Sequence, residues 1–113
     1  MDCLFCKIVV GDVPARVAYQ DERVVAFHDI APQAPVHILV VPREHLNGLS
    51  ALTADHGPLL ATIHQVANTI AHQEGIADSG YRLVVNNGPH AGQTVFHLHY
   101  HLLGGAPLGR FGA

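Results

Sequence analysis

The chain of 113 residues has the length of one ordinary domain, and its formal net charge of −3, with only six Lys and Arg, argues against binding of long nucleic acid. Its longest apolar run, Ile38-Leu39-Val40-Val41, is too short to cross a membrane, and the start Met1-Asp2-Cys3-Leu4 lacks the basic region of a signal peptide. We therefore expect a cytoplasmic protein with reduced cysteines and no membrane partner.

The first third of the chain predicts a short helical turn and three strands. The helical turn is expected over residues 5–10, and two short strands over residues 17–19 and 24–28 are joined by a polar turn. Two prolines stiffen residues 31–35, because each disfavours helix in the residue before it. Residues 37–41 are then typical of a buried strand.

The middle of the chain carries the clearest helix. Thr53 or Asp55 can cap its start, and Gly75 stands where a terminating glycine is expected. Further strands are predicted over residues 81–86 and 94–103, with a loop between them. Strands, one long helix and further strands indicate an α+β fold with an antiparallel sheet. The apolar positions that recur at helical spacing are Leu59, Leu60, Ile63, Val66, Ala67 and Ile70.

The last predicted strand contains three histidines that alternate with large apolar residues. Successive side chains of a strand point to opposite faces, so His97, His99 and His101 are expected on one face, roughly 6.5–7 Å apart. Three imidazoles on one face repel one another when charged, and they offer bare nitrogens when neutral. The opposite face, against the core, is expected to hold Phe96, Leu98, Tyr100 and Leu102.

The residues alone leave three interpretations of this stripe open. It is a solvent-facing polar stripe, a set of metal ligands, or a catalytic group in which a neutral imidazole attacks phosphorus. The preceding loop, residues 88–94, favours phosphorus, because glycines can turn backbone N–H groups toward a phosphate. Asn86, Gln93 and Thr94 are neutral hydrogen-bond donors there. The alternative for Asn86 and Gln93 is an ordinary turn or edge position, which is the commoner role of such amides.

The same segment resembles the signature of the histidine triad (HIT) family. The run His97-Leu98-His99-Tyr100-His101-Leu102-Leu103, with Gly92-Gln93-Thr94-Val95 before it and Gly104-Gly105 after it, is similar to the branch of histidine triad nucleotide-binding proteins. The block Phe27-His28-Asp29-Ile30-Ala31-Pro32-Gln33-Ala34-Pro35-Val36-His37-Ile38-Leu39-Val40-Val41-Pro42 is similar to a second block of that branch. The resemblance extends to about Gly105, so we take residues 1–113 as a single histidine triad domain.

This resemblance implies a HIT-like fold with a five-stranded antiparallel sheet, one long helix and a short N-terminal helix, in a homodimer that forms a continuous sheet. It implies a hydrolase that binds purine mononucleotides (AMP or GMP) and cleaves the P–N bond of nucleoside phosphoramidates through a nucleotidyl-histidine intermediate. Two alternatives stay open: hydrolysis of dinucleoside polyphosphates, and a nucleotide-binding regulatory module with incidental catalysis.

The resemblance assigns the catalytic roles position by position. His99 matches the nucleophile, and His101 matches the histidine that contacts the phosphate and the leaving group. His97 is the third triad member, and His37 matches a fourth histidine that supports the orientation of the nucleophile. One imidazole is then neutral while another is protonated, which predicts a bell-shaped pH dependence.

The substrate-binding positions follow in the same way. Asp29, expected to be buried, matches the acid that binds the ribose hydroxyls, with His28 beside it. The phosphate side is matched by Asn86, Gly92, Gln93 and Thr94. The apolar walls of the base pocket are matched by Leu4, Phe5, Ile8, Phe27 and Ile30, although core is the ordinary fate of such residues.

Cys3 and Cys6 form a C-x-x-C pair, whose thiolates suit a tetrahedral zinc ion. The resemblance supplies two further ligands, His45 and His97, and so implies a structural zinc site. A redox dithiol and a pair of inert buried thiols are the competing interpretations. The C-terminal residues 106–113 depart from the Trp-containing tail of better-known members of the branch, which leaves the preferred leaving group open.

Overall fold

The computed structural model describes residues 3–111, and the features predicted on Met1 and Asp2 lie outside the described residues. The described chain has an α+β fold with a five-stranded antiparallel sheet and one long helix, as predicted. Within residues 3–111, no helix is long and apolar enough to cross a membrane. In chain order the helices and strands are α1 (Leu4–Val9), β1 (Val17–Gln20), β2 (Val24–His28), β3 (Val36–Pro42), α2 (Gly57–Gln73), β4 (Tyr81–Val85) and β5 (Tyr100–Gly104).

The strand order in the sheet is β1-β2-β3-β5-β4, and every neighbouring pair is antiparallel. Alternation along β3 sends Ile38 and Val40 to one face and His37 and Leu39 to the other. The first face packs on α2 and forms the main core, while the second packs on α1. His37 therefore lies on the face of the sheet that α1 partly covers.

The long helix α2 buries one apolar stripe against the sheet, at the positions that the sequence predicted for this purpose. The residue at the N-cap of α2 is His56. Thr53 precedes the short 3-10 turn Ala54–His56, and the backbone N–H of Thr53 donates to His56 Nδ1 at 2.9 Å. Thr53 is therefore at the N-cap of the 3-10 turn instead of α2, and Asp55 lies within that turn, one residue before the N-cap of α2. Gly75 follows the last turn with a φ of 72°, in the left-handed region expected of a terminating glycine.

The last strand starts later than predicted, at Tyr100 instead of residue 94. The segment before it leaves the ladder because Leu98 N–H donates to Leu46 O, at 2.6 Å, in the loop that follows β3. Phe96, which was expected in the core, is 49% exposed, whereas Leu98, Tyr100 and Leu102 are buried as predicted. Only one of the three alternating histidines, His101, therefore lies within a strand.

Candidate active site

The three alternating histidines lie on the α1 side of the sheet, as alternation predicted, whereas Leu98, Tyr100 and Leu102 pack in the core on the α2 side. His97 is completely buried beside Cys3 and His45. His99 and His101 lie together in a cavity on the α1 face of the sheet, with ring centroids 5.1 Å apart. The ring of Phe5 lies between these two groups, since it contacts both His97 and His99.

His99 is held in one tautomer by the backbone. Its Nδ1 lies 2.7 Å from the carbonyl oxygen of His97, and a carbonyl only accepts, so Nδ1 carries the hydrogen. In the neutral ring the lone pair is then on Nε2. The ring of Phe5 packs edge-to-face on the imidazole at 5.0 Å and fixes its plane. His99 therefore has the protonation pattern that an imidazole nucleophile requires.

A second chain of hydrogen bonds sets the tautomers of His37 and His101. The backbone N–H of Gln33 donates to His37 Nδ1 at 3.0 Å, so the hydrogen of neutral His37 is on Nε2. That nitrogen lies 2.9 Å from His101 Nδ1, which accepts it and leaves the hydrogen of His101 on Nε2. His37 thus contacts His101 and not His99, so any influence on the nucleophile passes through His101.

Burial makes both of these imidazoles weak bases. It lowers the pKa of His37, even though the carboxylate of Asp29 lies 3.4 Å from its Nε2 and acts in the opposite direction. Burial, reinforced by His99 and His37, lowers the pKa of His101 to about 4. In the free protein near neutral pH, His101 is therefore neutral, which differs from the expectation of one protonated imidazole.

Two cavities meet at these histidines. The polar one, of about 290 Å³, is lined by Asn86, Gly92 and Thr94, which the sequence predicted as phosphate contacts. The apolar one, of about 280 Å³, is lined by six predicted residues: Leu4, Phe5, Ile8, Phe27, His28 and Ile30. Both are lined by Asp29, Thr94, His99 and His101, so a ligand with one polar and one apolar end can span them.

The shared acid, Asp29, is half-buried rather than buried as expected. Its side chain is 20% exposed, and Oδ1 accepts the Ala31 N–H at 2.8 Å. Ile30 is fully exposed and covers only the rim of the apolar cavity. Half-burial leaves the second carboxylate oxygen, Oδ2, beside His37 at the edge of the polar cavity.

Gln93 is the one predicted substrate-binding residue that lines neither cavity. Its side chain is buried among loop backbones, where Oε1 accepts the Gly88 N–H at 2.8 Å. Its Nε2 donates to the carbonyls of Asn47 and Val95. All the strong donors and acceptors of this amide are used inside the protein, so it has none left for a phosphate.

A larger cavity lies elsewhere, away from the histidines. It measures about 550 Å³ and is found between the start of β4 and the C-terminal segment. None of the described residues that line it is a histidine, a cysteine or a carboxylate. The guanidinium of Arg82 donates there to the carbonyls of Gly109 and Arg110. Size alone therefore does not identify the site.

The predicted metal ligands converge on the other side of His97. The donor atoms of Cys3, Cys6, His45 and His97 all lie within 4.8 Å of one another. The Nδ1 of His97 is 3.3 Å from the Cys3 sulfur, and the Nδ1 of His45 is 3.2 Å from the Cys6 sulfur. Two thiols and two imidazoles are a donor set that zinc prefers.

Hydrogen bonds turn both imidazole lone pairs toward the thiols. His97 Nε2 donates to the carbonyl of Pro42 at 2.7 Å, and His45 Nε2 donates to Asn47 Oδ1 at 2.8 Å. Each ring therefore carries its hydrogen on Nε2 and a bare Nδ1, as metal-binding histidines require. Burial, with the adjacent Cys3, raises the pKa of the Cys6 thiol, so metal binding displaces a proton there.

A second group of potential ligands, Asp29, His37 and His101, does not fit a cation. Its donor atoms also lie within 4.8 Å of one another. However, the Gln33 N–H occupies His37 Nδ1, so His37 Nε2 carries a hydrogen instead of a free lone pair. We therefore treat these three residues only as part of the wall of the polar cavity.

Sequence reasoning missed the backbone groups that fix the tautomers, namely the Gln33 N–H and the carbonyls of Pro42 and His97. Every residue offers such groups, so no residue type signals them. Asn47 was also missed, although an amide two residues after a predicted metal ligand is a usable signal. Val13, Pro14 and Ala15 complete the wall of the apolar cavity without a recognisable pattern.

Comparison with known proteins agrees with this geometry. The chain is 47% identical over 108 residues to the purine nucleoside phosphoramidase of Escherichia coli K12, which covers 96% of this chain and 91% of that protein. It is 47% identical over 107 residues to the 14 kDa zinc-binding protein of Zea mays, with 93% and 83% covered.

Solved structures show the same fold. A HIT family hydrolase from Legionella pneumophila superimposes with a TM-score of 0.97 at 43% identity, covering 99% of this chain and all of that one. One from Clostridium thermocellum gives 0.94 at 50% identity, with 96% and 95% covered. The family model described as the HIT domain matches residues 10–108. The chain therefore belongs to the HIT family.

Proposed function

We propose that this protein is a purine nucleoside phosphoramidase, which hydrolyses the P–N bond between a nucleoside monophosphate and an amine. The observation that carries this proposal is the His99 Nδ1–H bond to the His97 carbonyl, because it leaves Nε2 as a bare nucleophile beside the polar cavity. The name and the near-complete coverage of the Escherichia coli relative support the same substrate class.

The reaction has two displacement steps at phosphorus. In the first, His99 Nε2 forms a bond to phosphorus while the P–N bond to the amine breaks, and the electron pair leaves with the amine, which takes up a proton. In the second, water attacks phosphorus, the bond to His99 breaks, and the nucleoside monophosphate leaves with release of the water's proton. The His97 carbonyl stabilises the positive charge that His99 carries between the steps.

His101 supplies hydrogen bonding and the proton for the amine. It presents Nε2–H because His37 occupies its Nδ1. Although its pKa is about 4 in the free protein, the negative charge of a bound phosphate raises that pKa, since an opposite charge favours the imidazolium. Protonation of His101 takes place at Nδ1 and breaks the hydrogen bond from His37 Nε2–H, so the phosphate charge has to offset that loss before Nε2 gives its proton to the leaving group.

The two cavities divide recognition of the nucleotide. Asp29, which lies between them, is placed to accept the ribose hydroxyls in charge-assisted hydrogen bonds. Phe5 and Phe27, packed edge-to-face at 5.4 Å, offer an aromatic wall for a purine base. Gly92 has a φ of 86°, in the left-handed region that favours glycine, and this turn brings Gly92 and Thr94 to the wall of the polar cavity.

Hydrolysis of adenosine 5′-phosphoramidate, followed as AMP release, tests the proposal. The parent is expected to turn over this substrate faster than diadenosine polyphosphates, and His99→Ala to lose roughly 10³-fold or more in kcat/KM. His72→Ala, an exposed histidine at the end of α2, is the matched control and retains activity. Faster polyphosphate cleavage would instead assign the dinucleoside reaction, and AMP binding without turnover would assign a regulatory binding module.

We further propose that Cys3, Cys6, His45 and His97 hold a structural zinc ion. The bare Nδ1 atoms of both histidines, the convergence of the two cysteine sulfurs on them and the zinc-binding name of the Zea mays relative support it. Zinc would supply a tetrahedral cross-link between α1, the loop after β3 and the segment before β5.

We also propose that residues 1–113 form one histidine triad domain that pairs as a homodimer with a continuous sheet. Phe5, which precedes the matched range 10–108, packs on His99, and this contact makes α1 part of the same unit. Strand β4 is an edge strand with one hydrogen-bonded neighbour, and its five residues are all half-buried. Pairing two such edges extends the sheet across both chains.

A further inference from the structure

The buried amide of Gln93 lies between the proposed zinc site and the proposed phosphate loop. Its Nε2 donates to the carbonyl of Asn47 at 2.7 Å, and its Oε1 accepts the Gly88 N–H at 2.8 Å. Because carbonyls only accept and an N–H only donates, the orientation of this amide is fixed by its partners. One side chain therefore ties the segment after β3 to the loop before β5.

Asn47 connects that tie to the metal ligands. Its side-chain oxygen accepts from His45 Nε2 at 2.8 Å, while its backbone carbonyl accepts from Gln93. A metal ion at His45 Nδ1 orients the ring, and with it the hydrogen bond to Asn47. The position of the Asn47 backbone, and so of Gln93, depends on whether His45 is held.

The two segments approach closely at residue 48, where an added Cβ would crowd the ends of two side chains. A Cβ there would lie 2.6 Å from Asn87 Oδ1 and 3.2 Å from Gln93 Oε1. Asn87 Oδ1 also accepts the Ser50 N–H at 3.1 Å. The contact between the segments is thus a tightly packed, hydrogen-bonded seam and not a loose surface contact.

The far end of the seam is the loop that lines the polar cavity. Gly88 begins the short turn Pro89–Ala91, and Asn86 Nδ2 donates to the Ala91 carbonyl at 2.8 Å. Gly92 and Thr94, on either side of Gln93, line the cavity itself. A shift of Gln93 therefore moves the groups expected to surround the phosphate.

We propose that Gln93 is a positioning residue that couples metal binding at Cys3, Cys6, His45 and His97 to nucleotide binding in the polar cavity. The coupling rests on the proposed function, because it requires that cavity to take a nucleotide. By linkage it is reciprocal, so zinc tightens AMP binding and AMP retains zinc by the same factor. Gln93 touches neither ligand and acts only through the seam.

The test measures AMP affinity by calorimetry on the full chain with zinc loaded and with zinc removed. It also measures the dissociation constant of zinc, by competition with a chromophoric chelator, with and without AMP. We expect the loaded parent to bind AMP roughly 5-fold or more tightly than the zinc-free protein, with the same factor on zinc. Gln93→Met is expected to bring both ratios close to one while still binding each ligand.

Two further variants keep the test decisive. Asn47→Ala, at an exposed position, removes the acceptor for His45 without touching the core, and it is expected to weaken the coupling even if Gln93→Met does not fold. Gln65→Met, at an exposed position of α2, is the matched control and keeps the parental ratios.

Equal AMP affinity with and without zinc in the parent, or parental ratios in Gln93→Met and Asn47→Ala, would overturn the coupling and leave the phosphoramidase proposal standing. Absence of AMP binding to the loaded parent would overturn the proposed function itself.

Discussion

At the scale of single residues, the histidines of this site differ in which ring nitrogen carries the hydrogen. Backbone groups decide it: the His97 carbonyl for His99, the Pro42 carbonyl for His97 and the Gln33 N–H for His37. The same residue type thereby fits the proposed nucleophile at one position and the proposed metal ligand at another. The main-chain group beside each ring therefore decides which nitrogen of that ring is free to react or bind.

These tautomers can be observed directly. In long-range ¹H–¹⁵N spectra of the free protein at pH 7, we expect His99 as the Nδ1–H form, and His37 and His101 as Nε2–H forms. Since burial lowers the pKa of His101 to about 4, its ring is expected to stay neutral as the pH falls from 7 to 5. Addition of AMP is expected to raise that pKa, because the phosphate charge favours the imidazolium.

A His101 ring that titrates near pH 6.5 in the free protein would contradict this prediction, as would an Nε2–H signal for His99. His64 is the internal control, since it is exposed on α2 and none of the cavity histidines contacts it.

The sequence predicted the identity of the site residues better than their surroundings. Alternation in residues 97–101 predicted that the three histidines share one side, but local spacing did not predict that Leu98 bonds to Leu46 and that β5 begins only at Tyr100. Gln93 was predicted to face a phosphate, and only the packing against Gly48 shows where its amide is used. Contacts between residues some 45 positions apart in the chain are not recorded in local spacing.

At the scale of elements, the short helix α1 depends on one arginine. A six-residue helix is too short to be stable alone. The guanidinium of Arg43 donates to Val9 O at the end of α1, at 3.0 Å, and to Asp21 O, before β2, at 2.7 Å. Arg43 thus holds the helix that carries Phe5 and both cysteines against the sheet.

Replacement of this arginine tests that role. Arg43→Met is expected to lower the free energy of unfolding by about 1–3 kcal/mol, the usual range for hydrogen bonds that involve a charged group. The measurement is urea denaturation followed by circular dichroism. Arg16→Met, at an exposed position, is the matched control, and equal losses in the two variants would argue against the Arg43 tether.

The order of the elements was predictable because the periodicities of strand and helix differ, and both appear over segments long enough to recognise. The residues at which the helices and strands begin and end were harder to predict. The helix α2 begins at Gly57 because Thr53 precedes a separate 3-10 turn, and β5 begins at Tyr100 because the chain before it bonds to a loop. Such boundaries depend on tertiary partners, which local patterns do not specify.

At the scale of the whole molecule, the sheet has two edges that differ in burial. Strand β4 is half-buried along its length, whereas β1 begins at Val17, which is 45% exposed. If pairing through β4 forms the dimer, light scattering is expected to give twice the mass of one chain. Leu83→Lys is expected to shift this mass toward one chain, because a charge on an edge strand opposes edge-to-edge pairing. Since Leu83 also packs against the core, the circular dichroism spectrum has to show that the variant is folded.

Val17→Lys places the same charge on the opposite edge and is expected to leave the dimer intact. Dissociation by Val17→Lys alone would move the interface to β1, and a parental mass of one chain would reject the dimer.

The proposed zinc site joins parts of the chain that are distant in sequence, since Cys3 meets His97 across 94 positions. A ligand that binds only the folded state stabilises it by mass action, so zinc at roughly 1,000 times its dissociation constant adds about 4 kcal/mol. Removal of zinc by a chelator is therefore expected to lower the melting temperature of the parent. In Cys3→Ser/Cys6→Ser the melting temperature is expected to be low already and insensitive to the chelator.

Elemental analysis of the parent is expected to give one zinc per chain. This zinc content is expected to fall with acidification, because protons compete for the thiolates. A parent that keeps its melting temperature after complete zinc removal would show that the four side chains pack together without needing the ion.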